Sequence, residues 1–267
     1  MKNRPHLFIV ILLFTFIFFS CHKEKPIDPT PITTIDHGHI VFKFAHYVDN
    51  QPAIWDSMMY INAALNHYMV TNVQYFISNI TLHKSDGSSK LITSKSIYYI
   101  DSDIPSTLTW SVSDEIPIGS YNSISFTFGI DSVHNISNIF VNPPEDGMFW
   151  PEPMGGGYHM MKLNGKYIDT ASVVCNFNTH IGKGRVIVGS DTTMVNNSFT
   201  ASLPSSSFTL TKDATKEIEI IMNIDSWYKT PNVYDHNVYG GSIMNNQTAM
   251  GMLVQNGFDV FTIGYIH

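Results

Sequence analysis

Short runs of alternating apolar and polar residues recur along this chain and never settle into a helical period, and this restricts its fold more than any other feature. Residues 39–44 read HIVFKF and residues 73–82 read VQYFISNITL. β-Branched and aromatic residues at every second position suit a pleated surface with one buried face. The same pattern marks residues 97–100 (IYYI), 124–128 (ISFTF), 172–177 (SVVCNF), 185–188 (RVIV), 207–210 (SFTL) and 217–224 (EIEIIMNI). Clusters of Gly, Pro, Asn, Asp and Ser separate them, as in the turn at residues 84–89 (KSDGSS). Helical candidates are few: residues 231–246 contain two glycines, and only residues 243–255 read as a short helix. Many short strands with turn signals between them predict an all-β fold. The expected architecture is a single antiparallel β-sandwich, Ig-like or jelly-roll-like, with long loops and little helix.

The first residues read MKNRPHLFIVILLFTFIFFSC. Lys2 and Arg4 precede an apolar run over residues 7–19, a length that suits a signal-peptide core and is short for a spanning helix. Ser20-Cys21 at its end resembles a bacterial lipobox, in which the Cys becomes the lipidated first mature residue. Phe18 and Phe19 depart from that motif. Residues 22–36 are polar, hold three prolines and show no apolar period, so they read as an extended tether. The expected organisation is a lipoprotein signal peptide over 1–20, a lipidated Cys21 with its tether over 21–36, and one domain over 37–267. The localisation this implies is the cell envelope, lipid-anchored to a bacterial membrane, in the periplasm or on the surface of the outer membrane.

The only other cysteine is Cys175, so a lipidated Cys21 leaves no disulfide and the domain must stand on its core. Cys175 lies in VVCNF and reads as a buried small hydrophobe. Without residues 1–20 the chain carries 13 basic against 22 acidic residues, a net charge of −9. That balance argues against nucleic acid, which needs a basic face.

Residues 148–161 read MFWPEPMGGGYHMM. The triple glycine does not fit a phosphate loop, because no Lys-Ser/Thr at a helix start follows it and YHMMKL reads as a strand. The glycines fit backbone conformations closed to other residues. No Gly-x-Ser-x-Gly elbow occurs, and no carboxylate pair suggests glycoside hydrolysis.

Histidine is the abundant functional residue type. His46 follows an expected strand, His159 opens one and His180 closes another. His37 and His39 form His-x-His, which on a strand shares one face. His67, His83, His134 and His236 sit in polar, turn-like surroundings. Neutral imidazole suits Cu, Zn and Ni, and thioether sulfur selects Cu(I). Met161 shares the strand parity of His159, which makes it a candidate fourth, softer ligand.

Several segments together resemble the MbnP family of exported copper-binding proteins. They are residues 73–80 (VQYFISNI), 116–121 (IPIGSY), 128–131 (FGID), Met148-Phe149-Trp150, 156–159 (GGYH) with 162–165 (KLNG), and 179–182 (THIG). The resemblance runs from about His39 to His267. It implies a β-rich copper-binding protein, a MauG-like dihaem partner protein, and a tryptophan oxidised near the metal, for which Trp150 holds the matching position. A second family tryptophan two residues later is Glu152 here.

Joined to the histidines, the resemblance gives a site in which His46, His159 and His180 converge at one sandwich edge, with Met161 beside them. The expected role is capture and holding of copper without catalytic turnover; zinc accepts the same imidazoles. The alternative is a surface lipoprotein module for glycan or protein partners, using Trp55, Trp110, Trp150 and Trp227 as stacking platforms.

Overall fold

The computed structural model describes residues 35–267. Residues 1–34, with the expected signal peptide, Cys21 and most of the tether, lie outside the described residues. Among the described residues no helix is long and apolar enough to cross a membrane.

Two sheets form the body. The larger is ten-stranded and contains β2 (His67–Lys84), β3 (Ile97–Asp101), β4 (Gly119–Phe128), β5 (Met161–Ile168), β6 (Val174–Ile181), β9 (Phe199–Leu203) and β10 (Phe208–Leu210). The smaller is six-stranded and is built on β1 (His37–Val48), β11 (Thr215–Asn223) and β12 (Phe261–Ile266). Short strands complete both. A separate hairpin pairs β7 (Gly184–Val188) with β8 (Asp191–Val195). The all-β sandwich expected from the alternation is the architecture found.

The alternation explains the layers. Every second residue of β1 from Gly38 onward is buried, and Phe42, Phe44 and His46 face inward. In β2, Tyr75 and Ile77 face the same core from the opposite sheet, where Phe44 stacks on Tyr98 at 5.5 Å and Phe126 meets Phe261 edge-on at 5.1 Å. Fully burying a side chain of Phe or Leu size contributes roughly 1.5–3 kcal/mol.

Two features depart from the expected pattern. β1 and β11 pair in parallel, from His39 opposite Thr215 to Tyr47 opposite Asn223, so the sandwich is not purely antiparallel. Parallel neighbours need a long crossover, and nearly the whole domain supplies it. Cys175 is not buried: it stands half-exposed at the start of β6, with Sγ 3.7 Å from Asp169 Oδ2, because β6 enters the core only from Phe177 onward.

The helix expected at residues 243–255 is α2 (Gln247–Asn256), displaced by the cap. The Asn246 side chain accepts from the amide of Ala249 and fixes the start. A four-residue helix, α1 (His236–Tyr239), precedes it.

Candidate metal centre

The loop over residues 129–160 lies on the outward face of the larger sheet. Phe76 and Tyr99 point out of the sandwich there, and Ile130, Met148 and Tyr158 bury against them as a second small core. Phe140 stacks on Phe76 at 5.3 Å with planes 8° apart, and the Tyr158 hydroxyl donates to the Phe140 carbonyl at 3.0 Å. Gly155, Gly156 and Gly157 have φ of 108°, 60° and 85°, a left-handed run that other residues avoid. The Gly157 amide donates to Ser137 Oγ at 2.7 Å, so the triple glycine ties the loop to itself and cradles no phosphate.

That bend delivers Trp150 and His159. The Trp150 indole is fully buried, donates from Nε1 to the Met154 carbonyl at 3.1 Å, and lies flat over Gly182, where any Cβ would collide with it. The His159 ring stands edge-on to Trp150 at 4.7 Å and to His180 at 5.2 Å. His180 comes from β6, where it pairs with Lys162 of β5, which in turn pairs with Gln74 of β2. Directly opposed residues share a face, so His180, Lys162 and Gln74 form an outward row beneath the loop.

Hydrogen bonds give each imidazole one held nitrogen. His159 Nδ1 lies 2.9 Å from the Met148 carbonyl, which only accepts, so Nδ1 carries the proton. His159 Nε2 is then a bare lone pair, buried and without a partner. His180 Nε2 lies 2.8 Å from Asn164 Oδ1; the Asn164 amide donates to Asn72 Oδ1 at 2.8 Å, and the Asn72 amide donates to Asp103 Oδ2 at 3.1 Å. This chain runs from a carboxylate through two amides, puts the His180 proton on Nε2 and leaves Nδ1 free. Burial pushes His159 down to about 3, with Lys162 and His180 adding to the drop, while the bond to Met148 opposes it. Burial, then Lys162, pushes His180 down to about 4. Both rings are therefore neutral, the form in which imidazole binds a metal.

The other expected ligands are elsewhere. His46 lies inside β1 rather than after it, and its ring meets Trp55 and Tyr75, each at 5.8 Å, between the sheets. Tyr75 pairs with Met161, one residue out of step with the Gln74–Lys162–His180 row, so His46 and Met161 face the core while His180 faces out. Burial brings His46 down to about 4. The expected convergence of three histidines is thus corrected to a pair. Met161 is corrected too: the chain bends at Met160 before β5 begins, which breaks the parity shared with His159 and buries both methionines completely. His37 approaches Glu115 at 3.6 Å, and His39 is exposed. Of the expected stacking platforms, Trp110, Trp150 and Trp227 are buried, and Trp55 alone is partly exposed, packed against the core.

Sequence reading missed Lys162, Asn164, Asn72 and Asp103 as parts of this centre. Lys162 and Asn164 stood in the KLNG segment, but only strand register shows which side chains they meet.

A model of the MbnP family matches residues 37–246. Among solved structures, MbnP from Methylosinus trichosporium is similar in fold, with a TM-score of 0.56 and 12% identity over 86% of this chain and 99% of that one. No curated protein matches.

Proposed function

The chain belongs to the MbnP family, and from that premise we propose that it is an exported copper-binding protein that captures and holds the ion between His159 and His180. One observation carries the reading: His159 is fixed by its Nδ1 bond to Met148 while its Nε2 is buried without any partner. A buried acceptor left unpaired costs about 1–3 kcal/mol, and a metal ion would relieve that cost. A ligating histidine whose other nitrogen is held by a carbonyl or side-chain oxygen is the usual support for a metal.

The donor set favours copper over zinc. Zinc takes three or four protein donors. Among the described residues no group of three or more His, Cys, Asp and Glu side chains is placed to hold a metal. Two neutral imidazoles satisfy Cu(I), which forms two-coordinate complexes. When bound, copper would supply one-electron chemistry beside Trp150. The chain's own residues keep both rings neutral and fix their tautomers. Holding the ion, without turnover, is the role these features support.

Membrane attachment through Cys21, a MauG-like dihaem partner and oxidation of Trp150 belong to the same proposal. The first rests on the lipobox-like sequence, the others on the family resemblance and the 4.7 Å approach of Trp150 to His159.

Anaerobic titration of the metal-free protein with Cu(I) against a competing chelator tests the reading. Stoichiometric binding is expected, with a loss of about 10²-fold or more in His159→Ala and in His180→Ala. Binding that survives the double substitution would sink it.

A further inference from the structure

Lys162 brings a positive charge to a centre built for a cation. It is the direct cross-strand partner of His180 on the outward face, half-buried beneath the covering loop. Its Nζ donates to the Gly147 carbonyl, which pins the ammonium in place. The register sets it directly opposite His180, whose ring lies 5.2 Å from that of His159, so its charge stands beside the pair. Among the described residues no carboxylate lies within 4.0 Å of Lys162, as is also the case for Lys84, Lys95, Lys166, Lys183 and Lys216; what sets Lys162 apart is its place opposite His180. A half-buried charge beside two imidazole nitrogens opposes any cation that enters between them.

We propose that Lys162 is a charge filter, a specificity-determining residue whose fixed ammonium admits a monovalent soft cation to the His159–His180 pair and opposes a divalent one. This rests on the reading that the pair binds metal. Electrostatic repulsion scales with the product of the charges. A divalent ion therefore meets twice the free-energy penalty of a monovalent ion at the same place, and its binding constant falls by the square of the monovalent factor. Burial under the loop limits screening by salt. The neutral imidazoles offer no charge of their own to offset Lys162, so its ammonium adds a discrimination by charge to the preference of a two-donor set for Cu(I).

Two other roles for Lys162 make different predictions. As a pin for the loop, its loss would affect all metals by one factor. As an amine ligand, its loss would weaken binding. The filter alone predicts that neutralisation tightens binding, and tightens it more for a divalent ion.

The test compares wild type, Lys162→Gln and Lys162→Arg, titrated with Cu(I) and with Zn(II) against competing chelators at neutral pH. Lys162→Gln is expected to tighten Cu(I) about 10-fold and Zn(II) about 100-fold, the square of the first factor. Lys162→Arg keeps the charge and is expected to resemble wild type for both. In the metal-free protein, nitrogen-15 ring correlations should show His180 still protonated on Nε2 in every variant, which confirms that the row beneath the loop is intact. Equal factors for the two ions, weakening of either, or Zn(II) left unbound by every variant would overturn the filter while leaving the copper reading in place. A wild type that takes up neither ion overturns both.

Discussion

His159 and His236 are both buried under aromatic rings, and burial pushes both down to about 3. His236 is sandwiched by Phe177 at 4.4 Å and Tyr167 at 5.4 Å, with Tyr228 edge-on at 4.8 Å. Neither of its ring nitrogens has a partner. Its backbone amide is held by Asn66, so the ring is positioned by stacking alone. His159 has one nitrogen held and one bare, and a second imidazole at 5.2 Å. Burial and a lowered proton affinity are thus shared by a packing histidine and a candidate ligand. The distinguishing feature is asymmetry: one nitrogen fixed, the other exposed to a neighbour of the same chemistry.

Acid should produce the largest effect and treat both regions alike. A histidine whose folded value lies below its unfolded value of about 6.5 binds its proton more readily when the chain unfolds. Stability is then full above about pH 7 and falls as pH drops through the window from about 6.5 down to about 3–4, the values of His46, His159, His180 and His236. By pH 5 each ring that must remain neutral costs about 2 kcal/mol. His236→Phe keeps the stack and removes one such ring, so chemical denaturation at pH 5 should find it about 2 kcal/mol more stable relative to wild type than at pH 7.5. An unchanged difference between the two pH values would place His236 outside a neutral, buried box.

Copper should separate the regions. Asn164→Leu keeps the branched shape of the side chain and cuts the relay from Asp103 to His180, and loss of such a supporting bond typically costs about 10- to 100-fold in metal affinity. The accompanying sign is a mixed His180 tautomer in the nitrogen-15 spectrum. Full affinity in this variant would show that the relay is only a surface network. The smallest effect is expected at the excluded histidine: His46→Phe should leave Cu(I) affinity within about twofold, as for an independent site. A loss matching that of His159→Ala would restore His46 to the site.

Much of the fold could be read because β1, β2 and β11 carry long, clean alternation. β12 (FTIGYI) escaped notice, since a glycine interrupts its pattern and its ladder with β11 slips between Ile218 and Ile220. The parallel pairing of β1 with β11 has no local signal, because it joins segments about 170 residues apart through packing alone. At the centre, His159 and His180 were legible as residues and their neighbours were not. A single bend at Met160 decides which face each side chain takes, and neither periodicity nor composition records it. The triple glycine was legible as a shaped turn, whereas its anchor, the Phe76–Phe140–Tyr158 cluster, draws on three distant segments.

The parallel ladder between β1 and β11 also has a mechanical meaning. Any pull on the chain at Ile35 runs along β1, in line with its strand axis. The pairs from His39–Thr215 to Tyr47–Asn223 then take the load together in shear rather than opening one after another. The candidate metal centre lies in the other sheet, so tension on β1 does not pass directly through His159 and His180.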